Sequence, residues 1–138
     1  MLETGAINRE VAAAIAKQGH GDMLMVTDAG FAIPLGVEVI DLSLDVNKPM
    51  VVEVLAMLKK YYSVEKIIIA NETKEKNPTY FKSISKTFGE KVDVEIIGSS
   101  KIKEMSKTVK TVIRTGDFTA FGNVILVSGA GERWISER

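Results

Sequence analysis

The chain has 138 residues, 46% of them hydrophobic, and a mass of 15.1 kDa, which suits one compact domain over 1–138 better than two. Its 18 Lys and Arg residues balance 18 Asp and Glu residues, which excludes compositional disorder and a whole-chain basic field for nucleic acid. The absence of cysteine excludes disulfides, thiolate metal sites and a cysteine nucleophile, and His20 is the single imidazole available for acid/base chemistry.

Strands and helices are predicted to alternate along the chain. The first helix follows Asn8, a favourable N-cap, and ends at Gly19 in the left-handed conformation. The apolar run 23–26 predicts a buried strand, and Pro49 and Asn77-Pro78 mark two later helix starts. The remaining predictions are a helix end at Gly89, a short helix over 100–107 and strands over 37–42, 66–70, 92–97, 111–113 and 123–127. This order predicts an α/β fold: a single three-layer domain with a largely parallel sheet flanked by helices.

The sequence predicts no membrane partner. Its apolar runs are shorter than a membrane span, and the first residues carry an acid, Glu3, instead of a long apolar segment. We therefore expect a cytoplasmic protein.

His20 and Asp28 are the first candidates for chemistry. His20 lies between two glycines that leave its ring unobstructed, and Asp28 follows the predicted strand 23–26. Since open α/β sheets bind ligands beyond the carboxyl ends of their strands, the two polar groups could converge there. An imidazole can both donate and accept a proton near neutral pH, which suits proton transfer between hydroxyl oxygens. The alternative is that His20 is a surface residue and Asp28 a turn residue.

The segment 114–123 is the second candidate. It joins two predicted strands and is rich in groups that hydrogen-bond to hydroxyls. An aromatic ring here could stack on the C–H face of a sugar, while Asn123 offers a donor and an acceptor to a vicinal diol. The alternative is a well-formed turn. The lysines over 101–110 are interrupted by Glu104, so a solvated helix face is preferred to a nucleic-acid site.

Several short segments resemble, in the same order, the D-ribose pyranase family, whose close relatives are L-fucose mutarotases. The resemblance extends over nearly the whole chain. The segments are Gly19-His20-Gly21-Asp22, Thr27-Asp28-Ala29-Gly30-Phe31-Ala32-Ile33-Pro34, Ile40-Asp41-Leu42, Asn77-Pro78, Ile113-Arg114-Thr115-Gly116-Asp117 and Asn123-Val124-Ile125-Leu126.

The resemblance implies a cofactor-free and metal-independent isomerase that interconverts the pyranose and furanose forms of free D-ribose. Two alternatives remain open: a mutarotase that interconverts the anomers of L-fucose or another aldose, and a non-catalytic sugar-binding protein on the same scaffold. The resemblance also implies a homodecamer of two stacked pentameric rings with each site at a subunit boundary, and no nucleic-acid partner.

Position by position, the resemblance implies a role for seven residues. His20 matches the catalytic acid/base, and the matching substrate-binding positions are Asp28, Ser99, Lys103, Phe121, Gly122 and Asn123. Two of these depart from the family pattern, because Ser99 stands where a histidine is common and Phe121 where a tyrosine is common. The tail 131–138 also runs past the usual end of the family.

Overall fold

A computed structural model describes residues 1–131 and 133–137. Its strands are β1 (Met23–Thr27), β2 (Glu38–Asp41), β3 (Val64–Ala70), β4 (Asp93–Ile97), β5 (Thr111–Arg114) and β6 (Val124–Ser128). Its helices are α1 (Arg9–Ala16), α2 (Val51–Tyr61), α3 (Asn71–Lys76), α4 (Pro78–Lys86) and α5 (Ser99–Met105), which continues into a 3₁₀ turn at Ser106–Thr108. Two residues of the predicted tail, Glu132 and Arg138, lie outside the described residues.

The six strands form one mixed sheet in the order β2-β5-β1-β6-β3-β4. β1, β2 and β5 are parallel to one another, as are β3 and β4, while β6 is antiparallel to both of its neighbours. The predicted α/β class is confirmed, with β6 as the one strand that departs from a parallel arrangement. The reason is the connection 115–123, which is too short to hold a crossover helix and returns the chain into the sheet beside β1.

Alternating side chains bury both faces of the sheet. Leu24 and Val26 of β1 join a cluster that also contains Leu55 of α2 and Ile84 of α4, whereas Met25 points to the opposite face. The opposite face is covered by α5 through Ile102 and nearby side chains. The result is the three-layer arrangement of helices, sheet and helix that was predicted.

The residues predicted to begin and end the helices are confirmed in part. The Asn8 side chain accepts hydrogen bonds from the N–H groups of Glu10 and Val11, as expected of an N-cap. α4 ends at Lys86, and Gly89, three residues later, has a left-handed φ of +91°. The left-handed conformation predicted for Gly19 is wrong. α1 ends at Ala16, the Gly19 N–H is held by the Asp22 carboxylate, and Gly21 instead has the positive φ of +88°.

No helix in the described ranges 1–131 and 133–137 is long and apolar enough to cross a membrane.

Candidate functional site

The carboxyl end of β1 carries a buried carboxylate held by the connection between β5 and β6. Asp28 is only 9% exposed. Its Oδ2 accepts hydrogen bonds from the Gly122 N–H and from Asn123 Nδ2, each at 3.2 Å, and its Oδ1 accepts from the Gly30 N–H at 3.0 Å. The Asp28 N–H in turn donates to Asn123 Oδ1 at 3.0 Å. The reciprocal bonds fix both side chains before any ligand is present.

Burial raises the pKa of the Asp28 carboxyl above its usual value, because a charged group loses hydration inside the protein. Hydrogen bonds from Gly122, Gly30, Phe31 and Asn123 oppose this effect by stabilising the charged form. Asp28 is therefore a carboxylate under partial desolvation, which strengthens any hydrogen bond that it accepts from a ligand hydroxyl.

A second buried carboxylate, Asp117, anchors the same connection to the rest of the fold. Asp117 accepts hydrogen bonds from the Val51 N–H at the start of α2, from the Thr119 N–H and from the Tyr80 hydroxyl. The Tyr80 hydroxyl also lies 3.0 Å from the Gly122 carbonyl oxygen. Burial, followed by the negative charge of Asp117, raises the pKa of Tyr80, so the phenol stays protonated as a donor.

α3, the helix that the sequence analysis missed, holds the aromatic part of the connection. The Thr73 hydroxyl donates to the Phe121 carbonyl oxygen, and Lys76 Nζ lies 4.8 Å from the centroid of the Phe121 ring. Asn77 Nδ2, just after α3, donates to the Ala120 carbonyl oxygen at 2.7 Å. These bonds hold Phe121 at a φ of +58°, a backbone conformation that a residue with a side chain rarely adopts.

The connection, α5 and the end of β1 enclose a cavity of about 710 Å³, within the size range of small-molecule sites. Its walls include five of the predicted site residues, namely Asp28, Ser99, Lys103, Phe121 and Asn123. Gly122 contributes through its N–H bond to Asp28, and a Cβ at this position would lie 2.9 Å from the Tyr80 hydroxyl. Ser99 is bound to Glu72 through its N–H and its hydroxyl, so it is already partnered inside the chain.

Arg114 is a cavity residue that the sequence analysis gave no role of its own. Its guanidinium donates to the Ala29 carbonyl oxygen through Nε and Nη2 and to Asp41 and Ser43 through Nη1. A sequence signal was present, because Arg114 directly follows the predicted strand 111–113, and in the structure it is the last residue of β5, which is parallel to β1. Arg114 thereby ties the segment after β1 to the end of β2.

His20 lies at the opposite end of β1. The sequence interpretation that His20 and Asp28 converge within one chain is wrong, because the five residues of β1, about 16 Å of strand, separate them. The His20 side chain is 70% exposed, and its Nε2 lies 2.9 Å from Glu65 Oε2. It borders a second cavity of about 380 Å³, whose walls also include Tyr61, Tyr62 and Trp134.

The described residues offer no group of three or more His, Asp or Glu side chains that could hold a metal ion.

A buried carboxylate bonded to a half-buried amide, beside an aromatic ring at the carboxyl end of a strand, defines a site suited to a small polyhydroxylated ligand. A model of the RbsD / FucU transport protein family matches residues 1–131, and the chain belongs to that family. A D-ribose pyranase of Pseudothermotoga lettingae is 40% identical over 129 residues, which are 94% of this chain and 92% of that relative.

Solved structures show the same fold. Bacillus subtilis RbsD complexed with D-ribose superposes with a TM-score of 0.90 at 36% identity. The superposition covers 95% of this chain and 99% of the RbsD chain. The fucose mutarotase of Streptococcus pneumoniae in complex with L-fucose superposes with a TM-score of 0.72 at 18% identity, covering 94% and 99% of the two chains. The second likeness shows the fold alone.

Proposed function

We propose that this protein is a D-ribose pyranase that interconverts the pyranose and furanose forms of free D-ribose. The observation that carries the proposal is the cavity at the end of β1, where Asp28 and Asn123 hold each other and Phe121 presents an aromatic ring. Relatives named D-ribose pyranase, about 40% identical over most of the chain, support ribose as the sugar. The cavity has hydrogen-bonding groups for hydroxyls on one side and an apolar ring for sugar C–H groups on another.

The reaction needs only proton transfers. Opening a pyranose delivers a proton to the ring oxygen while the anomeric hydroxyl loses one, and closure through the neighbouring hydroxyl gives the furanose. A positioned imidazole can perform both transfers and contributes typically about 10²–10⁴-fold. His20 is the group that we assign to this step, with its Nε2 positioned by Glu65. Because no electrons leave the sugar, the proposed reaction requires no redox cofactor.

The two ends of β1 can serve one reaction only if the site lies between two copies of the chain. The exposed His20 of one copy would then face the Asp28 cavity of a neighbouring copy. The proposal accordingly includes a homo-oligomer with sites at its subunit boundaries, a decamer of two pentameric rings, acting in the cytoplasm. Closed ring symmetry would give every copy one complete site.

The test of the catalytic role is saturation-transfer NMR on D-ribose, which measures the exchange rate between cyclic forms. We expect wild-type protein to accelerate exchange and His20→Ala to lose that acceleration while keeping the native circular dichroism spectrum. Lys82→Ala, on the exposed face of α4, is the matched control and should behave as wild type. Unchanged exchange in His20→Ala would remove the assigned role, and acceleration for L-fucose but not for ribose would favour the mutarotase alternative.

The test of the shared site is complementation between two inactive variants. An equal mixture of His20→Ala and Asp28→Asn chains is reassembled after mild dissociation. A boundary then has an intact site only where an Asp28→Asn chain supplies the histidine and a His20→Ala chain supplies the carboxylate, which random assembly gives at about a quarter of the boundaries. We expect activity to return in that proportion, and native mass spectrometry to show mixed oligomers. Mixed oligomers that remain inactive would contradict a site shared between copies.

A further inference from the structure

The C-terminal segment lies beyond the part of the chain that matches the family. The family match ends at residue 131, and the chain continues to Arg138. Within this segment lies Trp134, which is the only tryptophan of the sequence. Its surroundings therefore belong to this chain and cannot be inferred from the family pattern.

Two glycines just before this segment pack closely against Glu65, the partner of His20, and against Ser63. The Gly129 N–H donates to the Ser63 carbonyl oxygen, and a Cβ at Gly129 would lie 2.2 Å from Glu65 Oε2. A Cβ at Gly131 would lie 2.5 Å from the Ser63 hydroxyl. The backbone can pass this closely only because both residues lack a side chain. The backbone that leads into the segment is thus packed directly beside Glu65, the carboxylate that contacts His20.

A turn then brings the indole to the His20 cavity. The backbone N–H of Trp134 donates to the Gly131 carbonyl oxygen at 3.0 Å, and the residue lines the same cavity as His20 and Tyr61. Trp134 is 72% exposed and Tyr61 is 42% exposed. Two aromatic rings therefore stand open to solvent beside the open imidazole, in a cavity of about 380 Å³ that is large enough for a small ligand.

We propose that Trp134 is a substrate-binding residue of the pyranase site, which stacks its indole on the C–H face of the sugar held at His20. An indole offers a large, rigid apolar face together with one N–H donor, the combination suited to a ring that is apolar on its faces and polar at its edge. The tail thereby adds sugar-binding surface from the histidine side of the boundary. This inference rests on the proposed function.

Because Trp134 is the single tryptophan, its fluorescence reports on this position alone. We expect D-ribose to change the emission of the wild-type oligomer and to reduce its quenching by iodide, with the same half-saturating concentration as exchange catalysis. His20→Ala should keep this response while losing exchange. Native mass spectrometry with and without ribose checks that the assembly does not change.

The outcomes separate the two proposals. Accelerated ribose exchange without any change in emission or quenching would overturn the role of Trp134 and leave the proposed function standing. A saturable response to ribose without accelerated exchange would support sugar contact at Trp134 and overturn the proposed function. A response caused by a change in assembly would also count against direct contact.

Variants supply a second measurement. We expect Trp134→Ala to raise the half-saturating ribose concentration about 3- to 10-fold with the maximal rate within about twofold of wild type, and Trp134→Phe to restore most of the loss. Ile135→Ala is the matched control, because Ile135 is the next residue and is exposed but does not line the His20 cavity. An equal effect of Ile135→Ala, or loss of the oligomer in Trp134→Ala, would show that the tail acts through assembly and would overturn the proposal.

Discussion

The two ends of β1 are built in opposite ways. At the carboxyl end, Asp28 is buried and receives hydrogen bonds from backbone and side-chain groups of the same chain. At the amino end, His20 is exposed and contacts a half-exposed carboxylate, Glu65. The first end is preorganised within one copy, whereas the second is open to solvent on the side from which a ligand or another copy would approach.

This difference divides the proposed work between binding and chemistry. Polar groups that recognise hydroxyls gain strength from partial desolvation and fixed orientation, which a folded loop can supply. A proton-transfer group needs access to the ring oxygen and to solvent or a neighbouring hydroxyl. We therefore expect substitutions at the buried end to lower the stability of the fold or the affinity for ribose. Substitutions at the open end should lower the exchange rate instead.

The largest expected effect comes from removing Asp117, which supports the buried end. Asp117→Ala leaves the N–H groups of Val51 and Thr119 without their acceptor, and we expect a loss of about 2–4 kcal/mol in the free energy of unfolding. Urea unfolding at fixed protein concentration measures it. Lys82→Ala should unfold as wild type does. A loss below about 0.5 kcal/mol, the range of ordinary surface substitutions, would contradict the anchoring role of Asp117.

A smaller effect, seen in rate alone, is expected at the open end. Glu65→Ala removes the partner that orients His20, and we expect the maximal exchange rate to fall about tenfold with little change in half-saturating ribose. The thermal midpoint should hardly move, since exposed ion pairs contribute about 0–1 kcal/mol. Glu65→Gln keeps an oxygen acceptor and should recover most of the rate. A rate deficit accompanied by an equal loss of stability would indicate a structural role instead.

The layout of the buried end followed in part from sequence order. The apolar run 23–26, followed closely by Asp28, was enough to place Asp28 at the carboxyl end of β1. Asn123 reaches the same edge because β6 runs antiparallel to β1, which the prediction of a largely parallel sheet did not include. Sequence order could also have predicted that His20 lies away from Asp28, because a residue that precedes β1 lies at the amino end of that strand. The glycines on either side of His20 indicated access to the ring but carried no information about which end of the sheet it occupies.

Other contacts had no local signal. α3 has the sequence Asn71-Glu72-Thr73-Lys74-Glu75-Lys76, which lacks an apolar face, and Thr73 alone is buried. Its existence depends on tertiary bonds to the connection 115–123, so periodicity could not predict it. The position of Trp134 beside His20 likewise depends on close packing at Gly129 and Gly131, which becomes visible only in three dimensions.

A further comparison concerns affinity at the buried end. The resemblance described in the sequence analysis implies a tyrosine at the position of Phe121, and the phenylalanine present here offers no hydroxyl to a sugar. Phe121→Tyr should lower the half-saturating ribose concentration about 2- to 10-fold, since one hydrogen bond contributes about 0.5–1.5 kcal/mol. Saturation-transfer NMR across ribose concentrations measures it, with Phe118→Tyr in the same cavity as control. Equal effects of the two variants would indicate that any added hydroxyl in the cavity suffices.

The smallest expected effect is a pH dependence of opposite sign at the two ends of β1. Asp22, before β1, has its pKa lowered, chiefly by the hydrogen bond from Lys110, whereas burial raises the pKa of Asp28 from 3.8. A carboxyl with a lowered folded pKa stabilises the fold above its unfolded pKa, and that contribution is lost as pH falls through the folded pKa. A carboxyl with a raised folded pKa has the opposite effect. The fold binds its proton more tightly than the unfolded chain does, so this stabilising contribution is lost as pH rises from 3.8 through the folded pKa. The measurement is the free energy of unfolding across the acidic pH range. As pH rises, we expect Asp22→Asn to become less stable relative to wild type and Asp28→Asn to become more stable relative to wild type. Differences that run in the same direction for both variants would contradict the contrast between a solvated and a buried end.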